Sequence, residues 1–318
     1  MVNHCISHVK DADGLCSAAL TLAAKGGSFS LADYDQLIVE LDAIPRDTTE
    51  LVLCDLGTDP SRFPDFRDRV GALTKRLSVT YIDHHYLSEE MKKELVELGI
   101  RIVHDVDECS SMLTYSTFKA LLPTASKYLA LYGAVTDYMD SSPLAGKMME
   151  RFDRQFVLLE STLLSYSISN NGRHPEYLEG LVRALSRMEV PHTIKGVSEA
   201  ALRQAETVRK LEGEVGSKGH VLGKLAYMET EQSSTGNVAK LLLGAFSVQV
   251  GLSYRAKPDG RVEMSLRCTS ECRIHLGQTI SEIAGRHGGN GGGHAKAAGC
   301  TVPVAEVLPV LTELEGRL

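Results

Sequence analysis

Along the first hundred residues, short apolar runs alternate with amphipathic stretches. His4 to Ser7 reads as a short strand feeding a polar loop, and Leu15 to Ala24, dense in Ala and Leu, reads as a helix. Leu37 to Leu41, Leu51 to Cys54, Leu77 to Ile82 and Ile100 to Val103 are apolar runs suited to buried parallel strands. Between them, Pro60 to Arg76 places Phe63, Phe66, Val70 and Leu73 at helical intervals, and Ser88 to Leu98 reads as another helix. This βαβα rhythm predicts an α/β domain, a parallel sheet with helices on both faces.

From Ser110 to about Met188 the pattern turns helical, with Leu129 to Thr136 running into Asp137 and a further helix over Phe152 to Leu164, broken at Asn170-Asn171-Gly172. Val190-Pro191 and Gly196 mark a boundary, and Ser198 to Gly213 reads as a connecting helix. Beyond it, Ser247 to Arg255 and Arg261 to Arg267 alternate like strands around a Lys257-Pro258-Asp259-Gly260 turn. Helices are predicted over Asn237 to Phe246, Leu276 to His287 and Val304 to Leu314. The expected organisation is a first domain over 1–190, a linker helix over 191–215, and a smaller α/β domain over 216–318 across a cleft.

Charge narrows the partners. Asp and Glu total 41 against 34 Lys and Arg, a formal net charge of −7. A chain that grips long duplex DNA by neutralising many phosphates would be basic. Any nucleic acid handled here is therefore expected to be short, held by metals and a few local cations. No run of about 18 apolar residues is present, so no membrane span is expected. Met1 to Cys5 lacks the basic start and apolar core of a secretion signal. The seven cysteines are scattered without a CxxC pair, which points to free thiols in a reducing cytoplasm.

In a parallel α/β sheet, the polar loops at the carboxyl ends of the strands build the site. Four such segments carry metal-binding groups: His8 with Asp11 and Asp13, then Asp55, then Asp83-His84-His85, then Asp137. Each alone is ordinary. An Asp-x-Asp beside glycine is most often a turn or helix cap, and a His-His pair usually lies on the surface. Together they are not ordinary, because carboxylates crowded at one sheet edge are costly unless cations neutralise them. Carboxylate mixed with imidazole suits Mn²⁺, Mg²⁺, Zn²⁺ or Fe²⁺ better than Ca²⁺. Two such ions about 3.5–4 Å apart can clamp both oxygens of an in-line phosphoryl displacement.

These segments resemble the motifs of the DHH phosphoesterase superfamily. Thr80-Tyr81-Ile82-Asp83-His84-His85 is similar to its signature, Asp11-Ala12-Asp13-Gly14 to the first motif, Cys54-Asp55 to the second and Ala134-Val135-Thr136-Asp137 to the fourth. Gly291-Gly292-Gly293-His294, followed by Ala297-Ala298-Gly299, resembles the GGGH motif of the DHHA1 domain, and Ser265-Leu266-Arg267 its SLR strand. The resemblance implies a DHH catalytic domain and a DHHA1 substrate-binding domain. It implies two Mn²⁺ ions, with Mg²⁺ or another divalent ion as substitutes. His8, Asp11 and Asp55 would hold one ion. Asp13, Asp55, His84 and Asp137 would hold the other, so that Asp55 bridges. His8 stands three residues before Asp11 where many members have four, which leaves His4 or water as alternative ligands. His85 would face the substrate phosphate and Asp83 would fix the tautomer of an adjacent histidine.

Gly291, Gly292, Gly293 and His294 are expected to form a phosphate-binding loop, helped by a bidentate Arg267, where the bland reading is a flexible loop. Ser110 and Ser111 open a helix, where capping is their expected use. The implied activity is metal-dependent hydrolysis of short RNA or DNA oligonucleotides or linear dinucleotides to 5′-mononucleotides, with no side-chain nucleophile. The alternatives are a 3′-phosphoadenosine 5′-phosphate phosphatase, a single-strand exonuclease, a cyclic-dinucleotide phosphodiesterase, or a non-catalytic nucleotide-binding module. Base preference stays open, and so does assembly as a homodimer.

Overall fold

The computed structural model describes residues 2–58, 62–231, 235–293 and 295–318. The chain divides into two compact units, Met1–Gln204 and Ala205–Leu318.

The first unit contains β1 (Asn3–His8), α1 (Ala12–Lys25), β2 (Ser28–Ala32), α2 (Leu37–Asp42), β3 (Glu50–Cys54), α3 (Phe63–Leu73), β4 (Ser78–Asp83), α4 (Glu89–Glu97) and β5 (Arg101–His104). The helices α5 (Ser110–Phe118), α6 (Ser126–Thr136), α7 (Pro143–Met149), α8 (Arg154–Asn171) and α9 (Pro175–Ser186) follow, then α10 (Val197–Lys218). The five strands are all parallel, in the order β2-β1-β3-β4-β5.

Alternation along each strand feeds two cores. Cys5, Val52, Cys54 and Ile82 pack on one face among residues of α1, α5, α6, α8 and α9. Ile6, Leu51, Leu53, Val79 and Tyr81 pack on the other, against α2, α3 and α4. Helices thus cover both faces, as expected. The strand order reverses at β1, which makes the crevice beyond the carboxyl ends of β1 and β3 a topological switch point.

One element differs from expectation. Leu37 to Leu41 is the helix α2, and the strand beside β1 is Ser28–Ala32. A five-residue apolar run does not distinguish a strand from a buried helical turn. β2 is an edge strand, half exposed, so Ser28 and Ser30 mask it.

The second unit opens within α10. It adds β6 (His220–Leu222), β7 (Leu225–Glu229), α11 (Thr235–Phe246), β8 (Val250–Ala256), β9 (Arg261–Cys268), α12 (Leu276–Arg286), β10 (Asn290–Gly293), β11 (Ala297–Pro303) and α13 (Val307–Glu315). The sheet order is β10-β11-β9-β8-β7-β6, with β8 and β9 joined as the expected hairpin. The helix α11 links the parallel pair β7 and β8.

The glycine segment is a strand, which corrects the expected loop. Gly291, Gly292 and Gly293 pair with Cys300, Gly299 and Ala298. A Cβ built on Gly277 would lie 2.0 Å from the Gly293 carbonyl oxygen, so α12 seats directly on this backbone. β10 is a sheet edge, which leaves one row of its backbone groups outside the ladder. His294 lies outside the described residues.

Candidate metal centre

Three strand ends and one helix end deliver the site. β1 ends on His8, and Asp11 then caps α1, accepting from the Gly14 amide at 2.9 Å. A Cβ on Gly14 would lie 2.3 Å from the His8 carbonyl oxygen, so this turn requires glycine. β3 leads into Asp55, whose φ of 59° is a left-handed conformation uncommon for a residue with a Cβ. Its amide donates to the Ile82 carbonyl, which ties the two strand ends together. β4 ends on Asp83, ahead of His84 and His85, and α6 ends at Asp137.

The side chains converge. His8 Nδ1 lies 2.8 Å from Asp11 Oδ2 and 3.6 Å from Asp55 Oδ2. His84 Nε2 lies 3.4 Å from Asp55 Oδ1 and 3.5 Å from Asp137 Oδ2. His8, Asp11 and Asp55 form one group able to hold a cation, and Asp13, His84 and Asp137 another. Asp55 reaches both, one oxygen toward His8 and the other toward His84. His85 also stands near Asp55, at 3.9 Å, but its Nδ1 is engaged by Asp83 at 2.8 Å. His4 points elsewhere, its ring nitrogens meeting Ser28 and Ser30.

Charge is unevenly distributed in this pocket. Burial, with the charge of Asp55, pushes Asp13 up to about 6. Burial and then Asp13 push Asp137 up to about 8 against the pull of His84. Burial works against ionisation of Asp55 as well, but His8 and His84 outweigh it and hold that carboxyl low. The same contest favours charge on His84, raised to about 10 by Asp55, Asp13 and Asp137 despite burial. Burial also opposes charge on His8, whose pKa is nonetheless raised well above the ordinary value by Asp11 first. Protons thus offset part of the negative charge that divalent cations would neutralise.

The residues fit such cations. Both ring nitrogens of His8 are buried without a hydrogen-bond partner of proper geometry, a costly arrangement unless a further group meets them. The donor set, carboxylates with imidazole, is that of Mn²⁺, Mg²⁺, Zn²⁺ or Fe²⁺.

Several participants escaped sequence reasoning. Tyr34, in the loop after β2, stacks on His8 with ring centroids 4.7 Å apart and hydrogen-bonds His85 Nε2 at 3.1 Å. Its phenol is held well above the usual range by burial and by Asp55 and Asp11, so it stays protonated. Asp33 pairs with Lys10 and lies 3.7 Å from His8 Nε2. Both follow β2, the strand whose polarity hid it; recognising that strand would have marked its carboxyl end. Ser110 and Ser111 do not cap α5 with their own hydroxyls. Their amides donate to the two oxygens of Asp13, at 2.8 and 2.9 Å, and the Ser110 hydroxyl donates to Asp55 at 3.1 Å. The orphan amides of that helix therefore stabilise a remote carboxylate.

In the second unit, Arg267 lies against the start of α11, where a Cβ on Gly236 would meet its Nη2 at 2.7 Å. Two positions earlier on the same strand, the Ser265 hydroxyl meets that of Thr235 at 2.7 Å. Arg267, Ser265 and the N-terminus of α11 thus share one face of the sheet.

Residues 221–315 match the DHHA1 domain family. The chain as a whole shares its fold with solved proteins that carry a DHH domain. No curated protein matches its sequence. A pGpG-specific phosphodiesterase, PggH from Vibrio cholerae, is similar over 100% of this chain and 98% of its own, with a TM-score of 0.58 and 12% identity. The DHH domain of a protein described as a member of a family of ribosomal proteins gives a TM-score of 0.70 at 16% identity, over 99% of this chain and 86% of that one. RecJ from Thermus thermophilus, solved with Mn²⁺, gives 0.64 at 16% identity; 99% of this chain covers 51% of RecJ. Among the described residues of this chain, no helix is long and apolar enough to cross a membrane.

Proposed function

We propose that this chain is a divalent-metal-dependent phosphodiesterase that hydrolyses short oligonucleotides or linear dinucleotides to 5′-mononucleotides. The observation that carries the reading is Asp55, placed between two carboxylate–imidazole groups with one oxygen toward each. In this reading His8, Asp11 and Asp55 hold one ion, and Asp13, Asp55, His84 and Asp137 hold the other. A bound pair of ions would supply water activated near neutral pH and neutralise charge on the phosphate.

The chain's own groups do the rest. Asp83 accepts from His85 Nδ1 and from the Tyr81 hydroxyl, at 2.8 and 2.9 Å, and fixes the ring. The tautomer set by Asp83 leaves His85 Nε2 as the face toward Tyr34 and the substrate phosphate. Arg267 and the edge strand Gly291 to Gly293, with His294, bind the terminal phosphate of a short substrate. The net charge of −7 favours short substrates over long duplexes. The relatives act in the same sense: PggH is described as specific for pGpG and RecJ as an exonuclease.

The test is a panel of labelled pNpN, 5-mer RNA, single-stranded DNA, cyclic dinucleotides and 3′-phosphoadenosine 5′-phosphate, with Mn²⁺ and with chelator. Mn²⁺-dependent release of 5′-mononucleotides from pNpN supports the reading. Turnover confined to 3′-phosphoadenosine 5′-phosphate, or binding of nucleotides without turnover of any, overturns it.

A further inference from the structure

The end of α6 breaks a local rule. The Met139 amide donates to the Ala134 carbonyl at 2.7 Å and the Tyr138 amide to that of Val135 at 3.2 Å, the paired bonds of a Schellman cap. The residue at the turning position of that cap must be left-handed, and glycine normally fills it. Here it is Tyr138, with φ of 60°. The turn is anchored on both sides: Met139 packs into the core, and the Asp137 amide closes on the Gly133 carbonyl at 2.9 Å.

A large side chain in this conformation is usually compensated by burial. Tyr138 is 80% exposed. The other left-handed residues with a side chain, among those described, are Asp55 in the site, Met188 packed on the core, and the small Ser247. Tyr138 alone of the four combines a strained backbone with a bulky, solvent-facing ring. Strain that burial does not offset points to a functional demand.

Its location says which demand. Tyr138 follows Asp137, whose carboxylate meets His84 at 3.5 Å, so the ring leaves the chain about 3.8 Å from the Cα of a proposed ligand. The segment on the other side of that contact, Asp83-His84-His85, also continues into an exposed aromatic, Tyr86 at 69%. A nucleotide whose phosphate occupies the metal centre needs a surface for its base. A tyrosine ring stacks on any base, without sequence preference. We propose that Tyr138 is a substrate-positioning residue, a platform on which the nucleobase next to the reacting phosphate stacks. The proposal rests on the phosphodiesterase reading and extends it to the base.

The experiment measures equilibrium binding of 2-aminopurine riboside 5′-monophosphate in Mg²⁺, using the quenching of 2-aminopurine on stacking, with ribose 5-phosphate as the base-free competitor. Tyr138→Gly keeps the turn and relieves the left-handed strain, so its melting temperature stays level or rises by roughly 2 °C. Quenching disappears in this variant and affinity for the nucleotide falls roughly tenfold. Affinity for ribose 5-phosphate is unchanged, and Tyr138→Phe restores both quenching and affinity. Wild-type quenching in Tyr138→Gly, or an equal loss for ribose 5-phosphate, overturns the proposal. So does a wild-type protein that binds ribose 5-phosphate as tightly as the nucleotide. Stacking without hydrolysis of pNpN in Mn²⁺ refutes the phosphodiesterase reading alone, and hydrolysis without discrimination for the base refutes stacking alone.

Discussion

Gly133 on α6 lies directly against Asp13: a Cβ there would sit 2.4 Å from Asp13 Oδ1 and 2.1 Å from Ser111 Oγ. Gly133→Ala must therefore displace the carboxylate or push α6 away from α5. The expected cost is about 1–3 kcal/mol of stability from overpacking. Mn²⁺ affinity at the position proposed for Asp13 should fall by roughly 10–100-fold. Calorimetric titration of the metal-free variant checks this, and two undisturbed Mn²⁺ sites would contradict the assignment of Asp13.

Asp55 is best removed as Asp55→Asn. Asn tolerates the left-handed backbone, whereas Ala would add strain to the loss of charge. The variant should fold, lose stoichiometric Mn²⁺ at both positions after dialysis, and turn over more than about a hundredfold more slowly. Metal content by mass spectrometry decides. Loss of one ion with the other retained would show that Asp55 does not bridge.

Tyr34 serves two histidines at once, and two variants separate the services. Tyr34→Phe keeps the stack on His8 and deletes the hydroxyl on His85 Nε2, so kcat should drop roughly tenfold with Mn²⁺ affinity intact. Tyr34→Ala also removes the stack and should weaken Mn²⁺ binding at the His8 position. If the two variants behave alike in metal titrations, the ring has no part in seating His8.

Without metal, the protein should lose stability as pH rises. Asp13 and Asp137 move from 3.8 to about 6 and about 8 on folding, so the folded chain binds the extra protons above pH 3.8 and loses stability from there up to those values. His84 moves from 6.5 to about 10, and its contribution, complete below 6.5, is lost toward 10. The signs agree. Asp55 and Asp83, held low, matter only on the acid side, where their contribution is lost below about pH 4. Melting in chelator should fall steadily between about pH 4 and 10, and the gain from added Mn²⁺ should grow over the same interval. A flat profile in chelator would contradict the crowding of carboxylates described here.

Legibility followed burial. Buried strands such as Leu51 to Cys54 and Leu77 to Ile82 announce themselves because both faces are apolar, and so the acids and histidines at their ends could be placed from the sequence. β2 exposes one side, its serines obscure it, and Tyr34 and Asp33 were lost with it. The helical Leu37 to Leu41 took the strand's place because five apolar residues carry no period. Gly291 to Gly293 suggested a loop, since glycine disfavours strands in isolation; a sheet edge pressed by α12 is the context that makes it tolerable. The part Asp13 plays at the start of α5 is a contact between residues almost a hundred positions apart, which no local pattern encodes.

The site gathers His8 from the first strand and Asp137 from beyond the last strand of the first unit. No short fragment could assemble it, and an ion lodged there would fasten the beginning of the chain to its middle. Occupancy and resistance to proteolysis would then be two readings of one equilibrium, with divalent-ion supply setting how long the folded protein survives in a cell.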